Sequence, residues 1–170
     1  MELKEAILKR RCVRNFEKKE VTEEKIGELL EAARWAPSAG NLQSRYFYIV
    51  KSEEKKKKLA EAALGQKFIA EAPVVFVVCA DLRIEGRYGR RGRELYCLLD
   101  CGAAIQNIML RAYDLGLGSV WVGAFDEEEV KELLEIPNHL RPISLIPVGY
   151  PAERPKAPTR KNIEEIAEVL

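Results

Sequence analysis

Several things are scarce in this sequence, and each shortage removes a class of function. Its single histidine, His139, follows Pro137 and Asn138 in an expected loop and has no paired serine or cysteine nucleophile signature, so no catalytic triad is read. Lys and Arg number 28 against 27 Asp and Glu, for a net charge of +1, whereas a nucleic-acid-coating protein carries a clear basic excess. The longest apolar run, Ala72 to Ala80, is far below the roughly 20 residues that a membrane helix needs. Met1 to Arg10 is charged throughout, without the apolar stretch of a signal peptide. No Gly-x-Gly-x-x-Gly turn follows a strand and no phosphate-binding P-loop is present, which disfavours a Rossmann site and an NTPase.

The four cysteines, Cys12, Cys79, Cys97 and Cys101, are expected to be reduced thiols in a cytoplasmic protein. Cys97 and Cys101 are four apart, so on a helix they share a face. Two thiols are too few for a closed metal site, and the expected role is that of small buried apolar residues. Their spacing is near the upper reach of a disulfide.

What is present is enough for one domain over residues 1–170, with 47% hydrophobic residues to build a core. Glutamine and asparagine are scarce while Glu, Lys and Arg are plentiful, a composition seen in thermophile proteins. The pattern predicts a short helix over Glu2–Arg11 and a second opening at Thr22, a good N-cap followed by Glu23 and Glu24. Ile26, Leu29, Leu30 and Ala33 then recur at helical spacing, and Pro37 stops the run. Strands are expected at Tyr46–Val50, Pro73–Ala80, Ser119–Ala124 and Ile143–Gly149, with the second central because it is continuously apolar and β-branched. Helices are expected at Glu53–Leu64, at Glu94–Leu115 as the buried one, and from Asp126 to about Glu135. Arg83–Arg93 reads as a Gly/Arg loop, Pro151–Pro158 as an extended Pro-rich tail, and Ile163–Leu170 as a short final helix or hook. Interleaved helices and strands around one sheet give an α+β or α/β fold. A Pro-rich tail cannot pack a core alone, and a partner subunit is a natural surface for it.

Four segments could carry chemistry, and each has a plainer reading. Arg10 and Arg14 lie four apart, so on a helix they share a face, and they offer fork-shaped donors that suit phosphate; equally, they form a solvated basic helix end. Pro37 to Gln43 supplies a hydroxyl, two amides and flexible backbone, or is an ordinary helix-terminating turn. Gly123, in Ser119 to Phe125, lets a flat ligand approach the backbone, or marks a kink before a helix. Arg87 to Arg93 could steer an anion or touch nucleic acid, or is a mobile solvated loop.

In order and spacing, the segments together resemble the nitroreductase family of flavoproteins over nearly the whole chain. The resemblance rests on Arg10-Arg11-Cys12-Val13-Arg14-Asn15-Phe16, on Ala36-Pro37-Ser38-Ala39-Gly40-Asn41-Leu42-Gln43 and on Glu71-Ala72-Pro73-Val74-Val75. It continues in Asp100 to Asn107, in Leu115 to Phe125 and in Ile146-Pro147-Val148-Gly149-Tyr150-Pro151. It implies a three-layer α/β/α sandwich with a central mixed or antiparallel sheet. It also implies a homodimer with FMN at the subunit interface and a swapped tail, residues 150–170, wrapping the partner.

By that resemblance Arg10, Arg11 and Cys12 hold the FMN phosphate and ribityl chain, and Arg14 sits near the pyrimidine edge, where its charge favours the anionic reduced flavin. Pro37, Ser38, Ala39 and Asn41 come from the other subunit. Val122, Gly123 and Ala124 lie along the isoalloxazine, Gln66 touches the ring edge, and Arg160 reaches the phosphate. The implied activity is hydride transfer from NADH or NADPH to FMN, then ping-pong reduction of a nitroaromatic, quinone or similar small electrophile, with no acid–base side chain demanded. Relatives that remove halogens or modify flavin, and a flavin carrier or sensor without turnover, are the alternatives; nucleic-acid and membrane partners are not expected. Three departures stand out: Cys12 replaces a family serine and is the poorer donor, Ser44-Arg45 replaces a frequent Pro-Trp, and Pro158 replaces a frequent lysine, with Lys161 nearby.

Overall fold

The computed structural model describes residues 2–170. Helix α1 spans Leu3–Lys9 and α2 spans Glu23–Arg34. Thr22 caps α2 as expected, its hydroxyl accepting from Lys25 N at 3.4 Å. Then follow β1 (Arg45–Val50), α3 (Glu53–Ala62), α4 (Phe68–Glu71), β2 (Val74–Asp81), α5 (Glu85–Arg91) and α6 (Cys97–Asp114). The chain continues through β3 (Gly118–Ser119), α7 (Glu127–Leu134) and β4 (Leu140–Gly149).

The four strands lie in the order β1-β2-β4-β3, every neighbouring pair antiparallel. Side chains of a strand alternate between faces, and β2 is buried on both. Val74, Phe76, Val78 and Ala80 pack with α2 and α6. Val75, Val77 and Cys79 pack with α3, α4 and α7. This is why β2 is apolar without interruption, and it makes the fold an α+β sandwich of three layers. Helix α6 carries the buried stripe Cys97, Cys101, Ala104, Ile105 and Ile108.

All four cysteines are free thiols. Burial pushes the Cys79 thiol up to about 12 and raises Cys97 and Cys101 as well, so these three act as small core residues. Among the described residues no helix is long and apolar enough to cross a membrane. Nor does any group of three or more His, Cys, Asp and Glu side chains among them suit a metal ion.

Three expectations are corrected. Arg83–Arg93 is helical: a 3-10 turn at Leu82–Ile84 leads into α5, and a π-helical turn at Gly92–Tyr96 leads into α6. Asp81 caps the start by accepting from Arg83 N at 3.0 Å, and Arg90–Glu94 and Arg93–Glu85 pair along the segment. Arginine is a good helix former, and the glycines serve other ends. Gly92 makes room for Tyr88 and Ile84, and Gly89 takes a φ of 56° at a kink.

The strand expected over Ser119–Ala124 is only Gly118–Ser119, with one further bridge from Val122 to Leu145. Val120 N donates to Pro147 O at 3.3 Å, but Pro147 has no N–H to return, so the ladder breaks there. Strand β4 also starts earlier than expected, at Leu140, because a bulge at Val78/Cys79 lets Pro142 and Arg141 pair with Cys79 and Ala80. After a bridge from Pro151 to Phe16, the tail runs without helix or strand to a 3-10 turn at Ile163–Glu165. Ile163 and Ile166 on it are 73% and 68% exposed.

Candidate functional site

The segment after α1 is fixed from two sides. On one side Val13 N donates to Ser119 O at 3.0 Å, and Cys12 bridges Ser119 in parallel. On the other, Glu153 Oε1 accepts from Arg14 N at 2.6 Å and Asn15 N at 3.1 Å, while Ala152 N donates to Asn15 O at 2.9 Å. The Arg10 guanidinium lies 3.9 Å from the half-buried Cys12 Sγ. Arg11 turns back on the carbonyls of Leu8 and Arg10.

Arg14 projects over the ring of Phe68 at 5.8 Å, at the start of α4. The same turn carries Gln66, whose side-chain N–H donates to Ala63 O at 2.9 Å and to Ala124 O at 3.3 Å. Val122 is held to Leu145 by two bonds of 2.9 Å, and its carbonyl also accepts from Ser144 Oγ at 3.1 Å. Beyond it the backbone opens. Gly123 and Ala124 are exposed, and a Cβ built on Gly123 would meet no atom within 4 Å. Among the described residues neither the Gly123 nor the Ala124 N–H has an acceptor.

So Arg10, Cys12 and Arg14 lie along one segment beside β3, and Arg14, Gln66 and the Val122–Ala124 backbone converge around the loop ahead of α4. A cavity of about 330 Å³ opens beside this segment, lined by Lys9, Arg10, Arg11, Tyr113 and Arg154 among others. It includes neither Arg14 nor Gly123.

The second set stands apart. Pro37, Ser38, Ala39 and Asn41 form a turn whose Ala39 packs with the α2/α6 core, whereas Cys12, Val13, Phe68 and Val122 belong to the opposite core. Ser38 Oγ accepts from Gln43 N at 3.0 Å, and Ser38 O accepts from Asn41 N at 3.0 Å. Among the described residues no hydrogen bond or ring contact joins this turn to Arg10–Arg14, Gln66 or Val122–Ala124. Among the described residues the Arg160 guanidinium reaches only the carbonyls of Pro158 and Thr159.

Three supporting residues escape sequence reasoning. Glu153 and Phe68 gain their roles only by tertiary contact, and nothing local marks them. Asp100, which accepts from Ala39 N and Ser44 Oγ, is different: it is a charge on the buried stripe of α6 beside Cys97, Cys101 and Ala104, and that is a legible anomaly.

The nitroreductase family profile matches residues 7–67 and 61–150 of the chain. The chain is 38% identical, over 91% of its length and 80% of the relative's, to a Methanothermobacter thermautotrophicus protein named, provisionally, as an NADH dehydrogenase/NAD(P)H nitroreductase. It is 34% identical to the FMN reductase [NAD(P)H] of Bacillus subtilis, covering 85% of this chain and 64% of that one. The structure of the Vibrio harveyi NADPH:FMN oxidoreductase complexed with NAD+ superposes with a TM-score of 0.91 at 26% identity, covering 98% of this chain and 76% of that one.

Proposed function

Because the chain belongs to the nitroreductase family, we propose that it is an FMN-dependent oxidoreductase. In this reading it takes hydride from NADH or NADPH and passes it to a nitroaromatic, quinone or other small electrophile in ping-pong fashion. The observation that carries this reading is the pair of exposed, unpaired N–H groups at Gly123 and Ala124, beside Gln66 and Arg14.

The residues present fit the cofactor. Bare Gly123 leaves room for a flat ring system against the backbone. The guanidiniums of Arg10 and Arg14, on a segment anchored by Ser119 and Glu153, supply fixed positive charge for a phosphate and an electron-rich ring edge. When bound, FMN supplies the two-electron chemistry itself, as cofactors of this type do. The chain's own share is then to bind, orient and polarise. Gln66 fixes the Ala124 carbonyl so that the neighbouring N–H groups keep their aim. Cys12 offers a weak donor where a hydroxyl would be stronger. No side chain is assigned a proton-transfer role.

The same reading makes the molecule a homodimer, with all of residues 1–170 forming one FMN-binding domain per chain. Three observations support it. The Pro37–Asn41 turn lies on the opposite layer from Arg14 and Gln66, so a single chain leaves the two sets unjoined. Leu99 and Trp121 are 60% and 42% exposed, and α1 presents Leu3 and Ile7 to solvent; apolar exposure of this kind marks interfaces. From Glu153 to the turn at Ile163 the tail has no helix or strand, and its Arg160 has no distant partner among the described residues. On a second subunit, that tail would bring Arg160 toward the phosphate and wrap its host.

The test is the visible spectrum of the purified protein, with the chromophore released by heating and identified. FMN at about one per chain, bleached by NADPH without oxygen, supports the proposal. A colourless protein that also fails to take up added FMN sinks it. Light scattering of the same sample reports whether the mass is that of two chains.

A further inference from the structure

The loop from Ser38 to Gln43 is held in a conformation that ordinary side chains avoid. Gly40, Asn41 and Gln43 have φ values of 56°, 55° and 52°. For the two residues with a Cβ this left-handed region is unfavourable, and such geometry persists only where the surroundings over-determine it.

Those surroundings are polar, with Asp100 and Ser44 buried at their centre. Asp100, on α6 and 5% exposed, accepts from Ala39 N at 2.9 Å on one oxygen and from Ser44 Oγ at 2.6 Å on the other. One carboxylate therefore ties down both ends of the loop. Arg45, at the start of β1, grips the approach to it: its guanidinium donates to the carbonyls of Arg34 at 3.1 Å, Ala36 at 2.8 Å and Pro37 at 3.3 Å. From α5, Tyr88 brings its hydroxyl against Gly40, where a Cβ would crowd it. The core does not require this arrangement. Asp100 sits on the same helix face as the buried Cys97, Cys101 and Ala104, and a charge there carries a desolvation cost that an apolar residue would avoid.

We infer that Asp100, Ser44 and Arg45 form a clamp that positions the Ser38–Gln43 loop, so that it meets the cofactor of the partner subunit in one preset geometry. The clamp itself is a feature of the single chain; its use on the cofactor rests on the flavin reading above. None of the three touches the cofactor in this scheme. They are positioning residues, and the loop they hold does the touching.

The experiment compares the wild type with Asp100→Asn and with the milder Ser44→Ala. Amide hydrogen exchange is followed by mass spectrometry in the FMN-free protein, and FMN affinity by titration. The expected result is exchange at residues 38–43 faster by at least tenfold in both variants, with β2 and α6 unchanged. FMN binding should weaken about tenfold in Asp100→Asn, the scale of one lost charge-assisted bond. The melting temperature of the FMN-free Ser44→Ala variant should fall by a few degrees, the cost of one lost buried hydrogen bond. A core control of matched melting temperature, such as Ile108→Val, should keep wild-type FMN affinity and loop exchange; a control that loses both equally overturns the clamp. Unchanged exchange at 38–43 in both variants overturns the clamp, as does acceleration spread equally over β2 and α6. A wild type that does not bind FMN overturns the flavin reading instead, and the exchange data then still decide the clamp.

Discussion

The side chain of Val13 fills the space that a side chain on Gly118 would need. A Cβ on Gly118 would lie 2.7, 2.8 and 2.9 Å from the Cβ, Cγ2 and Cγ1 of Val13. That contact seats the segment carrying Arg10, Cys12 and Arg14 directly against β3. Gly118→Ala should therefore destabilise the protein by about 1–3 kcal/mol, the usual cost of overpacking. Val13→Gly, which removes the Cβ at 2.7 Å that Val13→Ala would keep, should cost less on the Gly118→Ala background than on the wild type. Urea unfolding of the two single variants and the double measures the coupling, and strict additivity would contradict it.

Arg14 owes its place to Phe68 and to the carboxylate of Glu153. If it lies at the pyrimidine edge of FMN, Arg14→Ala should make the two-electron potential of the bound flavin more negative by about 30 mV, equivalent to roughly 1.4 kcal/mol. An anaerobic dye-coupled titration reads this directly. A potential equal to wild type would remove Arg14 from the ring edge.

The basic residues of α5 form a second prediction about the reaction. Arg87, Arg90 and Arg91 are exposed on a helix whose Tyr88 rests on the Ser38–Gln43 loop. Replacing the three with Ala should raise the apparent KM for NADPH about three- to tenfold at low salt, with little change in kcat, and the difference should shrink as salt rises. Steady-state kinetics at two ionic strengths test it; a KM that stays put would show that α5 does not meet the reductant.

Arg141 on β4 and Glu127 on α7 make a two-point pair, at 2.8 and 2.7 Å. The hydrogen bond from Arg141 is the main reason that the Glu127 carboxyl is held below its usual range. A carboxyl depressed by folding stabilises the fold at pH values above its ordinary 4.5, and that contribution is lost as pH falls through the lowered value. Both side chains are partly exposed, at 36% and 44%, so water and salt screen the pair. Glu127→Gln should cost about 0.5–1 kcal/mol at pH 7. In strong acid the variant and the wild type should converge. Unfolding curves at pH 7 and near pH 3 provide the comparison.

Much of this molecule could be read along the chain. Thr22 and Asp126 announce their helices because a short polar side chain before an acidic first turn satisfies orphan backbone donors whatever the fold. The unbroken run through β2 announces a strand buried on both faces. Other features were hidden. Repeated arginine and glycine over Arg83–Arg93 suggested a loop, yet Asp81, Glu85 and Glu94 supply the cap and ion pairs that make it helical. Ser44 and Arg45 stood out only as departures from a family pattern, and their joint purpose needs Asp100, more than fifty positions away.

Hydrophobic periodicities, helix caps, the central strand and the ordered motifs that mark the family are all written locally, because each depends on residues close together in the chain. Tertiary structure alone decided which of those motifs meet. Backbone pairing to Ser119 and Glu153 aims Arg14, and a shared turn brings Gln66 to Ala124. Two opposed cores keep the Pro37–Asn41 turn away from both. Contacts between distant segments follow from how whole layers pack, and no local pattern encodes that.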